Sequence, residues 1–165
     1  MNIEEKLDLE EINKSFAKKE SKERIKWAYE TFKEGLFLTT SGGNTSAVLP
    51  NLTRDTLGFC PPIIFVDTGY FNDCTHNMLK YLKNEGYDIR IYKSSISKKE
   101  IEERYPNWSD MSSDYFDKVV SIIKHEPLNR GFKELKVKAW LGGIMSHETE
   151  ERKNANFVQY NNTAR

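Results

Sequence analysis

Residues 36–46 read LFLTTSGGNTS. The apolar run Leu36-Phe37-Leu38 stops in small hydroxyl residues and two glycines, Gly42 and Gly43. Asn44, Thr45 and Ser46 follow, and apolar character returns at Ala47-Val48-Leu49. That order predicts a buried strand, a tight loop and the start of a helix. Glycine tolerates positive φ and lets backbone come close to a ligand. The loop N–H groups, the helix N-terminus and the hydroxyls of Ser41, Thr45 and Ser46 could then face one anion. A phosphate or pyrophosphate suits such a cradle, and a glycine turn without a ligand is the competing reading of this stretch taken alone. No Gly-Lys-Ser/Thr follows, so the loop is not a Walker motif, and the third glycine of a dinucleotide fingerprint is missing.

Upstream, Ile3 to Glu23 is charge-rich, and its sparse apolar residues (Ile3, Leu7, Ile12, Phe16) fit a helix with one narrow apolar stripe. A second helix begins at Ser21; Ile25, Ala28, Tyr29 and Phe32 repeat at helical spacing, and Gly35 stands where a C-cap belongs. Downstream, 47–57 should be helical, but Pro50 opposes a regular helix, so a later start, a kink or a short irregular element is expected. Ile63-Ile64-Phe65-Val66 is a continuous apolar run suited to a strand buried on both faces. It ends in Asp67-Thr68-Gly69-Tyr70, and Asn72 or Asp73 can cap a helix in which Met78, Leu79 and Leu82 face inward and which Gly86 closes. Residues 88–93 (DIRIYK) read as a third strand ending in Ser94-Ser95.

Strand and helix alternate, so the expected fold is a three-layer α/β sandwich with a mostly parallel sheet. In such sheets ligands gather beyond the carboxyl ends of the strands. Three of those ends carry Ser41–Ser46, Asp67–Tyr70 and Ser94-Ser95. Further on, 98–105 reads as a short helix, 107–114 as a surface loop and 114–123 as a helix. A helix boundary falls at Pro127, a helix runs through Leu135, and a fourth strand spans 138–144 with Trp140 in the core. No repeat or low-complexity tract is present.

The 165 residues are 38% hydrophobic, enough for one domain with a real core. Lys+Arg and Asp+Glu each total 25, so no basic excess points to a nucleic-acid polymer. No apolar stretch approaches membrane-spanning length and no signal pattern opens the chain, so a soluble cytoplasmic protein is expected. Cys60 and Cys74 lack metal or redox spacing and read as partly buried, reduced thiols.

Four separated segments then match one family in order. They are Thr40–Ser46; Val66-Asp67-Thr68-Gly69-Tyr70 with Thr75 downstream; Lys124-His125-Glu126-Pro127-Leu128-Asn129-Arg130; and Ala139-Trp140-Leu141-Gly142-Gly143-Ile144 leading to Glu148 and Arg152. The chain resembles the phosphoadenosine phosphosulfate (PAPS) reductase family, within the adenine nucleotide alpha hydrolase-like, PP-loop group. The resemblance runs from about Arg24 to Asn156, and the expected organisation is a helical extension over 1–23 followed by a nucleotide-binding domain over 24–165, its C-terminal completeness left open. It implies an adenine nucleotide, PAPS or ATP, with its phosphates on Ser41, Gly42, Gly43, Asn44, Thr45 and Ser46. Asp67, Thr68 and Gly69 would line the site, with Gly143 beside it. Lys124, Arg130 and Arg152 would supply positive charge, arginine as a planar fork and lysine as a point charge.

Bland readings stand beside these. Asp67 could only cap its turn, and Lys124 and Arg130 could be a solvated face. His125 reads as a surface residue and His147 is open. Glu148, Glu150 and Glu151 read as a solvated face, one of which could hold Mg²⁺ through a bound phosphate.

The chain also departs from the family. Reduction of a sulfonucleotide needs a thiolate. The family carries it in a Glu-Cys-Gly-Leu-His motif that these residues do not contain, and no catalytic residue is assigned. Ile122 and Ile123 stand where the iron–sulfur branch has paired cysteines, so no cluster and no protein-bound metal is expected. Met145-Ser146 replaces an arginine pair. Asn44, or Thr45 by position, stands where ATP pyrophosphatases carry aspartate. The leading expectation is a divergent sulfonucleotide reductase or sulfurtransferase-like enzyme. The alternatives are an adenylating ATP pyrophosphatase working with Mg²⁺ and a non-catalytic or partner-dependent nucleotide-binding module. A protein partner or a second copy is left open.

Overall fold

The computed structural model describes residues 7–43, 45–143 and 153–161. Four strands, β1 (Leu36–Thr40), β2 (Ile63–Asp67), β3 (Ile89–Lys93) and β4 (Ala139–Leu141), form one sheet in the order β3-β2-β1-β4. Every neighbouring pair is parallel, with Leu38 beside Ile63, Leu36 beside Ala139 and Asp67 beside Lys93. Among the described residues seven α-helices surround it: α1 (Leu9–Phe16), α2 (Ser21–Phe32), α3 (Val48–Leu57), α4 (Asp73–Asn84), α5 (Lys98–Arg104), α6 (Phe116–Val120) and α7 (Glu126–Glu134). The expected α/β sandwich with a parallel sheet is the observed fold.

The continuous apolar runs of β1 and β2 explain the layering. Successive strand residues point to opposite faces, so such a run must be covered on both. On one face Leu38, Ile63, Phe65 and Ile89 pack with Leu79 and Leu82 of α4. On the other, Phe37 and Ile64 meet Phe132 of α7. A third cluster, Ile101, Val119 and Ile123, joins α5 to α6 and draws in Tyr70 and Trp108. Burying each large apolar side chain is worth roughly 1.5–3 kcal/mol. An exposed pair such as Lys14–Glu10, at 2.7 Å, belongs to a class that contributes about 0–1 kcal/mol. The core therefore holds the domain.

Several expectations needed correction. The element after the first loop is neither kinked nor irregular: the later start holds, since a ten-residue helix begins at Val48 and puts Pro50 within its first turn, where no donor is needed. Pro127 does not break the chain's helical path. Ser121–His125 forms a π-helical turn that carries α6 into α7, with Pro127 in the first turn of α7. The wider turn accommodates the ring and its missing N–H. Gly35 is not the cap of α2; that position is Lys33, at φ 49. Gly35 is small because an added Cβ would lie 2.7 Å from Lys138.

The fourth strand is shorter than expected, and Ile144 lies outside the described residues. Trp140 is not core: it is 37% exposed on the outermost strand, with its ring 4.6 Å from that of Phe132.

Gly131, inside α7, faces the Tyr92 ring of β3, where a Cβ would lie 2.9 Å from two ring carbons. Gly131→Ala would ordinarily favour a helix by about 1 kcal/mol. Overpacking costs about 1–3 kcal/mol, so the variant is expected to unfold at lower urea. An unchanged or raised midpoint would show that Tyr92 moves aside freely.

Candidate functional site

Because all four strands run the same way, their carboxyl ends share one edge. The loop after β1 turns at Gly42, whose φ is 70° and whose N–H donates to Thr40 Oγ1 at 3.2 Å. Gly42 is buried against the first turn of α4: a Cβ there would stand 2.6 Å from Thr75 Cγ2 and 3.3 Å from the Phe65 ring. Gly43 lies at the exposed rim, where a Cβ would be 3.6 Å from Ser41 Oγ and 3.9 Å from Ser46 Oγ. Two hydroxyls thus flank the same stretch of bare backbone. Ser46 N–H donates to the Gly43 carbonyl at 2.9 Å and Val48 N–H to that of Thr45 at 3.0 Å, leading the chain into α3. Among the described residues no side chain caps that helix. Gly143, after β4, comes within 3.9 Å (as an added Cβ) of Leu49 in its first turn.

The turn after β2 is built the same way. Gly69, at φ 80°, donates its N–H to Asp67 Oδ1 at 3.0 Å, and Tyr70 N–H donates to Thr68 Oγ1 at 3.3 Å. Asp67 is only 9% exposed. Its other oxygen pairs with Lys93 Nζ at 3.2 Å. Asn72 caps α4 by accepting from Thr75 N–H at 3.2 Å. A cavity of about 500 Å³ adjoins this turn, lined by Tyr70, Glu102, Tyr105, Asn107, Trp108 and Ser109.

The cations divide. Arg130 reaches the end of β3, where Nη2 donates to the Lys93 carbonyl at 2.6 Å while Nε holds Glu126 at 2.9 Å. Its hydrogen bond to Glu126 is the main reason its already high pKa rises further. Lys124 and His125 are exposed on the π turn, and among the described residues Lys124 makes no ion pair. Asn44, His147, Glu148, Glu150, Glu151 and Arg152 lie outside the described residues.

Sequence reasoning overlooked Lys93 and Lys98. Lys98 lies beside Gly69, and its ammonium sits 4.8 Å from the centre of the Tyr70 ring. Nothing in DIRIYK marks Lys93 until the register sets it beside Asp67. Among the described residues no three His, Cys, Asp or Glu side chains gather as metal ligands would.

Fold and edge together define an α/β domain of the covered parallel-sheet class, with glycine turns at the ends of its two central strands. The phosphoadenosine phosphosulfate reductase domain family model matches residues 35–165, and the chain belongs to that family. It is 33% identical over 153 residues to the phosphoadenosine 5'-phosphosulfate reductase of Synechococcus sp., covering 92% of this chain and 66% of the relative. The like-named protein of Synechocystis sp. is 30% identical, covering 90% of this chain and 60% of its own length. A crystal structure of PAPS reductase from Candida auris, a phosphate complex, superposes with a TM-score of 0.65 at 26% identity, covering 82% of this chain and 66% of that one. The chain therefore spans roughly three fifths to two thirds of the length of these relatives. The family read from four segments is the one found.

The two thiols differ, which corrects the expectation of two partly buried ones. Cys74 is exposed in the first turn of α4 and Cys60 is half-buried. Burial pushes the Cys60 thiol up to about 12, with Arg54 opposing. A thiol so raised stays protonated and unreactive at neutral pH. At pH 8 an aromatic disulfide reagent should modify Cys74 quickly and Cys60 only on unfolding; two equally fast thiols would contradict this environment.

Gly42→Ala is expected to cost about 1–3 kcal/mol, from strain at positive φ and from the clash with Thr75. Thr75→Ser removes Cγ2 and should recover the clash part but not the strain. Urea denaturation of both single variants and the double measures this; strictly additive losses would rule out the contact.

Proposed function

We propose that this domain binds an adenine nucleotide across the ends of β1 and β2, and that it is the nucleotide-binding unit of a divergent sulfonucleotide reductase. One observation carries the reading: Ser41 and Ser46 bring two hydroxyls to the bare backbone at Gly43, immediately before a helix N-terminus that no side chain among the described residues caps. Converging hydroxyls, backbone N–H groups and a helix dipole suit a phosphate, which offers several acceptor oxygens to such donors. Asp67–Gly69 forms the second wall, Gly143 the third, and Arg130 lies at the rim of the β3 end. Asn44, Thr45, Lys124 and Arg152 are proposed members of the same site on the strength of the family pattern.

Two comparisons support this reading. The relatives are named for reduction of phosphoadenosine phosphosulfate, and the Candida auris structure is described as a phosphate complex. The chemistry asks for a thiolate as well as a cradle. Cys60 is unsuited to that task because its thiol is held protonated. Cys74 is exposed in the first turn of α4 and is given no role, so binding is the part of the reaction proposed here, without a metal or an iron–sulfur cluster in the assignment.

Calorimetric titration with PAPS, AMP and ATP, each with and without Mg²⁺, tests the proposal. PAPS is expected to bind best and independently of Mg²⁺. Ser41→Ala/Ser46→Ala should weaken it about tenfold or more, the scale for losing hydrogen bonds to a charged group. Preference for ATP with Mg²⁺ would replace the reductase reading with an adenylating one. No binding of any nucleotide at millimolar concentration would withdraw the site.

A further inference from the structure

We infer that Lys93 is a positioning residue for the candidate nucleotide site: it supplies the counter-charge that lets the buried Asp67 carboxylate hold the β2–α4 turn in its left-handed form. Three linked observations carry this. Asp67 divides its oxygens, one accepting from Gly69 N–H at 3.0 Å and the other paired with Lys93 Nζ at 3.2 Å. The pair is unequal, since the Asp67 side chain is 10% exposed and that of Lys93 68%. An ionised carboxylate out of water is costly unless it is paired, so the lysine matters more to the aspartate than the reverse. Finally, the parallel register sets Lys93 directly beside Asp67, and Arg130 fixes that strand end by donating to the Lys93 carbonyl at 2.6 Å.

A connected series results, from Glu126 through Arg130 to the β3 end, and from Lys93 through Asp67 to Gly69. Residues of the family-like segment at 124–130 thereby reach the nucleotide edge through β3. Other charges nearby have other partners. Lys98, which flanks Gly69, lies 3.9 Å from Glu102, and Glu126 is taken by Arg130. Lys93 is the ammonium placed to neutralise Asp67.

The effect on the turn stands on geometry alone, whereas the effect on nucleotide affinity rests on the reading proposed above. The experiment separates them. Amide hydrogen exchange of Gly69 and Tyr70, followed by NMR on the ligand-free protein, reads the turn directly. Lys93→Met should speed exchange at the Gly69 amide about tenfold, the scale for weakening a hydrogen bond to a charged acceptor, and at Tyr70, whose acceptor is the Thr68 hydroxyl, by less. Lys93→Arg should leave it within about twofold, since the charge is kept. Lys93→Met/Asp67→Asn should slow exchange again, because the amide oxygen still accepts from Gly69 and no unpaired charge remains.

Unchanged exchange in Lys93→Met, or a double variant as fast as the single one, would overturn the inference. So would a loss of protection spread evenly over the domain, which would make Lys93 a general stabiliser. In parallel, adenosine 3',5'-bisphosphate is expected to bind Lys93→Met about tenfold more weakly than wild type or Lys93→Arg, by the same scale. If wild type binds no nucleotide, the proposed function falls while the exchange data still decide the role of Lys93. If wild type binds and Lys93→Met binds equally well, the turn does not set affinity, and the positioning role is overturned.

Discussion

Two strands that must be buried on both faces set the rest of the structure. Leu36–Leu38 and Ile63–Phe65 are each at or below 6% exposed. A sheet with water on one side would leave half of those side chains wet, at roughly 1.5–3 kcal/mol apiece. Helices on both faces are the solution, and helices on both faces require crossover connections between parallel strands. Parallel strands in turn bring every carboxyl end to one edge. The candidate site is a consequence of how the core is covered.

On that edge, packing and chemistry act on the same atoms. Gly42 is needed because Thr75 leaves no room for a Cβ, and the φ that glycine alone adopts easily is also what turns the loop back towards α3. Gly42 packs on the first turn of α4, whereas at Gly69 even an added Cβ would stand 4.0 Å from Lys98 at the start of α5. Steric contact fixes the first turn, and charge, through Lys93 and Asp67, steadies the second.

What could be read from sequence follows from this division. Strands β1 and β2 were legible because an uninterrupted apolar run has few other uses in a chain of this composition. The loop at Ser41–Ser46 was legible because glycine and hydroxyls between a strand and a helix constrain the backbone strongly. The π turn ahead of Pro127 was not, since its five residues, SIIKH, have ordinary helical character and the proline announces a boundary. Trp140 was misplaced because an apolar residue in a strand says nothing about whether that strand is central or outermost. Gly35 looked like a helix cap until its contact with Lys138 was known. Lys93 was invisible for a similar reason: its partner is fixed by register between strands, and register is a property of the assembled sheet.

Family membership carries more about backbone geometry than about reaction. Turns at strand ends are produced by the fold, so any sequence that keeps β1, β2 and their glycines keeps most of that backbone geometry. A nucleophile is one side chain, and the fold survives its loss or relocation without penalty. Cys60 illustrates the point: half-buried beside Arg54, it is a packing residue with a thiol held protonated. Between the two extremes stand residues such as Asp67, where the requirement is both. Its carboxylate accepts from the Gly69 N–H while the packing that makes the turn rigid buries it, and Lys93 on the neighbouring strand supplies the counter-charge. Selection for a precise turn would then act on β3 as much as on the loop itself.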